Sequence, residues 1–188
     1  MDNLTGAVLC GGQSKRMGTD KGLILLDDQP WAQIMFGKLQ KINLPAYISV
    51  NASQQEAYLK YFKETDLIID HIAIPGPLNG LLSIHDHHPD RDILLLACDM
   101  LNMKQQTLKT LLAAYHTHPG LDFYAYHNQQ YWEPLCAIYT AKGLKEIKNQ
   151  LLTDRDHSFQ HVLNNGNSFK LEVIDPASFE NRNTMQDT

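Results

Sequence analysis

Short, almost continuously apolar segments recur along this chain, and they predict β-strands. The segments cover residues 4–10, 47–50, 67–69, 93–98 and 135–139. A strand that is apolar on both faces is typical of a parallel sheet with helices packed on each side, because neither face then meets water. The pattern therefore indicates a mostly parallel sheet.

Between these segments, apolar residues recur at the spacing of amphipathic helices. The predicted helices cover residues 30–42, a stretch after Pro77, a stretch from about Leu108 to Pro119, residues 141–152 and residues 159–163. Strand and helix alternate through at least the first 118 residues, which predicts right-handed βαβ crossovers. We therefore predict one doubly wound α/β domain over residues 1–188, with helices on both faces of the sheet.

The overall charge excludes several classes of partner. The chain has 188 residues, with 16 Lys and Arg against 21 Asp and Glu, so its formal net charge is −5. Nucleic acids and anionic membranes are poor candidate partners, because both need clustered positive charge. No apolar run approaches the ~20 residues of a membrane span, and the sequence at Met1 is unlike a secretory signal peptide. Cys10, Cys98 and Cys136 lie in or at the end of apolar segments, which predicts buried thiols in a reducing cytoplasm.

Small and polar residues follow four successive predicted strands. They are Gly11 with Gly12, Asn51, Asp70 and Asp99. In an open parallel sheet the ligand crevice lies outside the carboxyl ends of the strands. Glycine, asparagine and aspartate are also the commonest turn residues, so each position alone has that second interpretation. The four positions together favour a binding site along one edge of the sheet.

The loop after the first strand carries the strongest signal for phosphate binding. Gly11 and Gly12 allow the backbone to approach a phosphate closely. Arg16 and Lys21 then add two cations to the same loop of an otherwise acidic chain. The loop has neither the Gly-Lys-Ser/Thr end of a Walker A loop nor the spacing of a Gly-x-Gly-x-x-Gly fingerprint. From the residues alone, the alternative is a glycine turn followed by a solvated basic loop.

Residues 9–21, Leu-Cys-Gly-Gly-Gln-Ser-Lys-Arg-Met-Gly-Thr-Asp-Lys, resemble the signature Leu-x-Gly-Gly-x-Ser-x-Arg-Met-Gly-x-Asp-Lys of the molybdenum cofactor guanylyltransferases, the MobA family. Further matches follow in order at Asn51, Asp70, residues 76–81 (Gly-Pro-Leu-Asn-Gly-Leu), residues 98–100 (Cys-Asp-Met), residues 133–139 and residues 181–184 (Asn-Arg-Asn-Thr). The chain departs from the family pattern at Leu101, where proline is usual, and at Met185-Gln186, where Pro-Glu is common. Several nucleotidyltransferase families share the first motif, but the ordered set is more restrictive.

This resemblance implies a Rossmann-like nucleotidyltransferase fold and a specific reaction. GMP would pass from GTP to the terminal phosphate of molybdenum-bound molybdopterin, with release of pyrophosphate. The implied catalytic residues are Arg16, Lys21 and Asp99, with Asp99 holding Mg²⁺. The implied GTP-binding residues are Leu9, Cys10, Gly11, Gly12, Lys21, Asn51, Asp70 and Asp99, and the implied pterin-side residues are Asn181 and Asn183. The resemblance also implies partner proteins that insert the cofactor or act as chaperones of the target enzymes.

Other functions share parts of this pattern. A molybdenum cofactor cytidylyltransferase or a sugar-nucleotide pyrophosphorylase would use the same loop. Gly11 favours guanine, because the cytidylyltransferase relatives tend to carry Ala-Gly and a missing side chain leaves room for a purine edge. We expect a backbone N–H near residues 9–12 to meet the guanine carbonyl. A non-catalytic GTP- or cofactor-binding module is disfavoured, because such a module does not need both Lys21 and Asp99.

Overall fold

The computed structural model describes residues 3–11, 20–151, 156 and 158–182. The strands in these ranges are β1 (Leu4–Leu9), β2 (Leu25–Leu26), β3 (Gln29–Pro30), β4 (Ala46–Val50), β5 (Leu67–Ile69), β6 (Asp92–Ala97), β7 (Phe123–His127), β8 (Trp132–Tyr139) and β9 (Ser168–Glu172). The helices are α1 (Trp31–Gln40), α2 (Gln55–Tyr58), α3 (Leu78–His87), α4 (Gln105–Thr117), α5 (Ala141–Gln150) and α6 (Phe159–Asn165). Short 3₁₀ turns cover Lys21–Leu23, Glu64–Asp66 and Pro176–Phe179. Across this described part of the chain, none of the helices is long and apolar enough to cross a membrane.

Seven of the strands form one twisted sheet in the order β5-β4-β1-β6-β8-β7-β9. All neighbours pair in parallel except β8, which runs antiparallel to both β6 and β7. Strands β2 and β3 pair separately as a small antiparallel hairpin. The predicted α/β class and mostly parallel sheet are thereby confirmed.

Helices cover the sheet on both faces, which explains the almost continuous apolar runs. Val8 and Leu96 belong to a core that includes the apolar faces of α1 and α4. Ala7, Leu9 and Leu95 belong to the opposite core, with α3, α5 and α6. Because successive strand residues point to opposite faces, a strand buried on both sides is apolar at most of its positions.

Two strands of the seven-stranded sheet, β7 and β9, were not predicted from the sequence, and neither was the small hairpin of β2 and β3. Strand β7 has the composition Phe-Tyr-Ala-Tyr-His, and aromatic residues favour strands, so a signal for it was present. Strand β9 is the last strand at its edge of the sheet and carries Lys170 and Glu172 exposed beside buried Leu171. A short alternation of polar and apolar residues is a weaker signal for a strand than the apolar runs elsewhere in the chain. Only the pairing with β7 therefore identifies β9 as a strand.

The parallel order brings four strand ends together. Strands β5, β4, β1 and β6 are consecutive neighbours in the sheet, and all four run in the same direction. Their carboxyl ends therefore form one continuous edge, followed by Asp70, Asn51, Cys10-Gly11 and Cys98-Asp99. The predicted edge of small and polar residues is confirmed for the positions that the structure describes.

Candidate functional site

The side chain of Asp70 reaches from the end of β5 across β4 to the end of β1. The hydroxyl of Ser49 donates a hydrogen bond of 2.5 Å to Asp70 Oδ1. A Cβ atom built on Gly11 would approach Asp70 Oδ2 closer than 3.0 Å, a separation that real Cβ atoms essentially never show. Gly11 therefore makes room for the Asp70 carboxylate. The space that was predicted to admit a purine edge is thus occupied by this carboxylate.

Burial affects the charge of this carboxylate. Desolvation raises the pKa of Asp70 above its ordinary value of 3.8, while the Ser49 hydrogen bond and the neighbouring His71 lower it. A carboxylate that is partly withdrawn from water interacts strongly with hydrogen-bond donors, because the local dielectric constant is low. Asp70 is thus suited to accept hydrogen bonds from a ligand.

The backbone at the end of β1 is already paired. The N–H groups of Cys10 and Gly11 both donate to the carbonyl of Ser49, at 2.9 and 3.1 Å. The Leu9 carbonyl accepts a hydrogen bond of 3.2 Å from the N–H of Cys98. The expected backbone contact to the guanine carbonyl is therefore not supported at Cys10 or Gly11, and Gly12 lies outside the described residues.

Lys21 and Asp99 form a salt bridge across the site. Lys21 Nζ lies 3.0 Å from Asp99 Oδ2, although the two residues are 78 positions apart in the sequence. Their side chains are only 24% and 14% exposed, so the pair is shielded from much of the solvent. The salt bridge thus holds a cation and an anion together at the end of β6. A polyphosphate could take the place of Asp99 beside the Lys21 ammonium, and a metal cation could take the place of Lys21 beside the Asp99 carboxylate. Arg16, the second predicted cation, lies outside the described residues.

Asp20 fixes the turn that carries Lys21. Its Oδ1 accepts hydrogen bonds from the N–H of Gly22 at 3.0 Å and from the hydroxyl of Tyr58 at 2.9 Å. Its Oδ2 accepts a hydrogen bond of 2.6 Å from Gln54 Nε2, which also donates to the Cys10 carbonyl. Asp20 was not predicted to be a positioning residue, although its place directly before Lys21 was a usable signal. Nothing in the sequence pattern pointed to Tyr58 or Gln54.

Asn51 has a local structural role in this structure. Its Oδ1 accepts hydrogen bonds from the N–H and the hydroxyl of Ser53, at 3.0 and 2.6 Å. Its own N–H donates to Gln54 Oε1 at 2.8 Å. The asparagine therefore shapes the turn after β4, and it lies on the same edge as Asp70.

The C-terminal segment returns to the end of β6. The N–H of Arg182 donates to the carbonyl of Asp99 at 3.0 Å, and Arg182 Nη2 donates to Asn102 Oδ1 at 3.2 Å. Asn181 precedes this contact and is exposed. The predicted pterin-side segment thus lies beside Asp99, whereas Asn183 lies outside the described residues. Arg182 was not singled out from the sequence.

The three thiols are free and buried, as predicted. Cys10 and Cys98 lie side by side at the ends of β1 and β6, and burial together with the Cys98 thiol raises the pKa of Cys10. Burial also raises the pKa of Cys136. A thiol held in its neutral form is a poor nucleophile, so the side chains of Cys10 and Cys136 serve packing.

A solved structure defines the fold class. The chain superposes over 97% of its length on 94% of the crystal structure of molybdopterin-guanine dinucleotide biosynthesis protein A from Archaeoglobus fulgidus. The TM-score is 0.78 at 23% sequence identity. The protein therefore has the Rossmann-like α/β fold of nucleotidyltransferases.

Sequence comparison assigns the family. Residues 6–168 match the MobA-like NTP transferase domain, and the chain belongs to the MobA-like NTP transferase family. A protein from Flavobacterium johnsoniae, named probable molybdenum cofactor guanylyltransferase, is 30% identical over 82% of this chain and 77% of its own length. A protein of the same name from a Nostoc species is 30% identical over 100% of this chain and 89% of its own length. The resemblance found in the sequence is thereby confirmed.

Proposed function

We propose that this protein transfers GMP from GTP to the terminal phosphate of molybdenum-bound molybdopterin, giving the guanine dinucleotide form of the cofactor and pyrophosphate. The observation that carries the proposal is the partly buried Lys21–Asp99 pair at the same sheet edge as the Asp70 carboxylate. The names of the relatives from Flavobacterium and Nostoc support the same reaction.

Asp99 is proposed to hold Mg²⁺ during this reaction. Mg²⁺ takes oxygen ligands, usually one or two carboxylates completed by substrate phosphates and water. Asp99 fits this habit, because it offers a carboxylate at the end of β6 on the same edge of the sheet as Lys21. When bound, the ion supplies positive charge to the reacting phosphate and the departing pyrophosphate.

Lys21 and Arg16 are proposed to bind the triphosphate. Phosphoryl transfer of this kind needs alignment and charge neutralisation more than covalent chemistry from the protein. On GTP binding, Lys21 would move from Asp99 Oδ2 to the phosphates, so the salt bridge keeps both groups oriented beforehand. The attacking phosphate of the acceptor is already ionised, so no general base is needed.

Asp70 is proposed to select the base. Guanine presents two donors, its ring N–H and its amino group, to a carboxylate that can accept both. Adenine and cytosine each present a ring nitrogen that is an acceptor at the corresponding position, and it would face the negative charge of Asp70. A buried acceptor left without donors costs about 1–3 kcal/mol, so GTP is favoured over ATP and CTP.

The remaining assignments follow from the sequence motifs. Leu9, Cys10, Gly11, Gly12 and Asn51 are proposed to line the GTP side. Asn181 and Asn183 are proposed to line the pterin side, and the exposed segment beside Asp99 supports this for Asn181. The free, buried thiols support a reducing compartment such as the cytoplasm. Cofactor-inserting and chaperone proteins are proposed as partners.

A reconstituted reaction tests the proposed function. Purified protein, GTP, Mg²⁺ and molybdenum-bound molybdopterin are incubated, and the cofactor is analysed by mass spectrometry. We expect the guanine dinucleotide and pyrophosphate in equal amounts, and neither with Asp99→Asn. Absence of the dinucleotide with the wild-type protein, under conditions where GTP binds, would contradict the proposal.

A further inference from the structure

Ser49 connects three elements at the base end of the proposed site. It is fully buried on β4, with 0% of its surface exposed. Its carbonyl accepts the N–H groups of Cys10 and Gly11, and its hydroxyl donates to Asp70 Oδ1 at 2.5 Å. One residue therefore fixes both the backbone at the end of β1 and the carboxylate that follows β5.

A glycine on α3 leaves space for this hydroxyl. A Cβ atom built on Gly80 would approach Ser49 Oγ closer than 3.0 Å, and it would lie 3.3 Å from Asp70 Oδ1. Helix α3 thus packs directly over the Ser49–Asp70 hydrogen bond. Gly11 confines the carboxylate on the other side, at Oδ2. The carboxylate is held between two glycines, and the Ser49 hydroxyl sets its orientation.

We propose that Ser49 is a positioning residue that determines base specificity, because its hydroxyl orients the Asp70 carboxylate toward the two donors of a guanine ring. The inference deepens the proposed function and rests on the role of Asp70 in it. Ser49 itself does not contact the nucleotide. Its effect is transmitted through Asp70 alone, so deleting the hydroxyl should change the recognition of the base and leave the chemistry at the phosphates intact.

The Ser49 hydroxyl also affects the protonation of Asp70. The Ser49 hydrogen bond lowers the pKa of Asp70 against the opposing effect of burial, and the adjacent His71 acts in the same direction as Ser49. Without the hydroxyl, the pKa of Asp70 rises further and the carboxylate loses its proton only at higher pH. The affinity for GTP should then begin to fall at a higher pH than in the wild-type protein.

The test compares Ser49→Ala with the control Thr5→Val. Thr5 lies on the neighbouring strand β1 and is 2% exposed. Its hydroxyl donates to the Pro45 carbonyl at the amino ends of β1 and β4, away from the proposed site at their carboxyl ends. The dissociation constants of GTP and ITP are measured by calorimetry with Mg²⁺, since ITP differs from GTP only in lacking the amino group. Thermal melts verify that both variants are folded.

In the wild-type protein we expect GTP to bind about tenfold or more tightly than ITP, the value of one charge-assisted hydrogen bond. In Ser49→Ala this ratio of affinities should fall to about twofold. In the transfer reaction, the KM for GTP should be raised and kcat should be nearly unchanged. The pH at which GTP affinity falls on acidification should be higher than in the wild-type protein. Thr5→Val should retain the wild-type ratio. Ser49→Thr, which keeps the hydroxyl, should retain more of the wild-type ratio than Ser49→Ala.

Two results would overturn the inference. One is a folded Ser49→Ala variant with the wild-type ratio of GTP to ITP affinity, and the other is equal loss of that ratio in Thr5→Val. Because the ratio of GTP to ITP affinity is measured by nucleotide binding without acceptor, it stands apart from the transfer assay. A protein that binds GTP selectively but transfers no GMP would contradict only the proposed function.

Discussion

Gly11→Ala is the substitution whose effect follows most directly from the geometry. The new Cβ would overlap Asp70 Oδ2, which has to withdraw until it reaches about 3.4 Å, the start of ordinary van der Waals contact. The carboxylate cannot retreat freely, because Ser49 holds Oδ1 at 2.5 Å and Gly80 lies behind it. We therefore expect the substitution to rotate the carboxylate away from its present direction.

The expected loss of GTP affinity follows from that rotation of the carboxylate. If Asp70 accepts the two donors of guanine, a misdirected carboxylate loses at least one charge-assisted hydrogen bond, worth about 1.5–3 kcal/mol. The dissociation constant of GTP should rise about ten- to a hundredfold, because each 1.4 kcal/mol corresponds to about a factor of ten. The affinity for ATP, which cannot use the carboxylate in this way, should change much less.

The assay is calorimetric titration of GTP and ATP into Gly11→Ala and into Gly37→Ala. Gly37 lies in α1, and a Cβ built there meets nothing within 4 Å. That control should bind both nucleotides like the wild-type protein and gain about 1 kcal/mol of stability from helix propensity. The reasoning would be refuted by a folded Gly11→Ala protein that binds GTP with wild-type affinity.

Four further predictions concern the charged groups. Asp99→Asn should abolish GMP transfer with little change in the melting temperature, because the carboxylate lies at a strand end; near-wild-type turnover at saturating Mg²⁺ would remove Asp99 from the mechanism. Lys21→Ala should weaken GTP about ten- to a hundredfold and GMP much less, since a charged contact to the outer phosphates is worth about 1.5–3 kcal/mol; equal losses in titrations of both would place Lys21 elsewhere. Tyr58→Phe removes a donor to Asp20 and should lower both kcat and the free energy of unfolding, the latter by about 0.5–1.5 kcal/mol in urea melts; wild-type values of both would argue against the positioning role of Asp20. Burial raises the pKa of Asp70, and GTP needs its ionised form, so GTP affinity should fall as the pH drops through a midpoint above 3.8; a midpoint at or below that value would contradict the assignment.

The edge of the sheet could be predicted from the sequence because two simple rules apply to it. Apolar runs identify strands buried on both faces, and parallel strands bring the residues after their carboxyl ends to one side. Asp70 and Asp99 follow such runs directly, so their common location needs no knowledge of side-chain contacts. The salt bridge between Lys21 and Asp99 agrees with this edge, since the carboxyl ends of β1 and β6 are neighbours in the sheet.

The contacts within the site depend on packing that a linear pattern does not contain. Asp70 lies against Gly11 only because Ser49 orients it and Gly80 of α3 leaves space. The pairing of the Gly11 N–H depends on the register of β1 against β4, which places Leu9 opposite Ser49. The support of Asp20 comes partly from Tyr58 in a helix of four residues, too short to produce a helical period.

A competition experiment tests the central claim most directly. GTP, ATP, CTP and UTP are supplied together at equal concentration with Mg²⁺ and molybdenum-bound molybdopterin, and the dinucleotide products are separated by mass. Because Asp70 can accept both donors of guanine and faces an acceptor on adenine or cytosine, the guanine dinucleotide should form at least tenfold faster than the adenine or cytosine dinucleotide. A cytosine dinucleotide formed as fast as or faster than the guanine product would contradict the account.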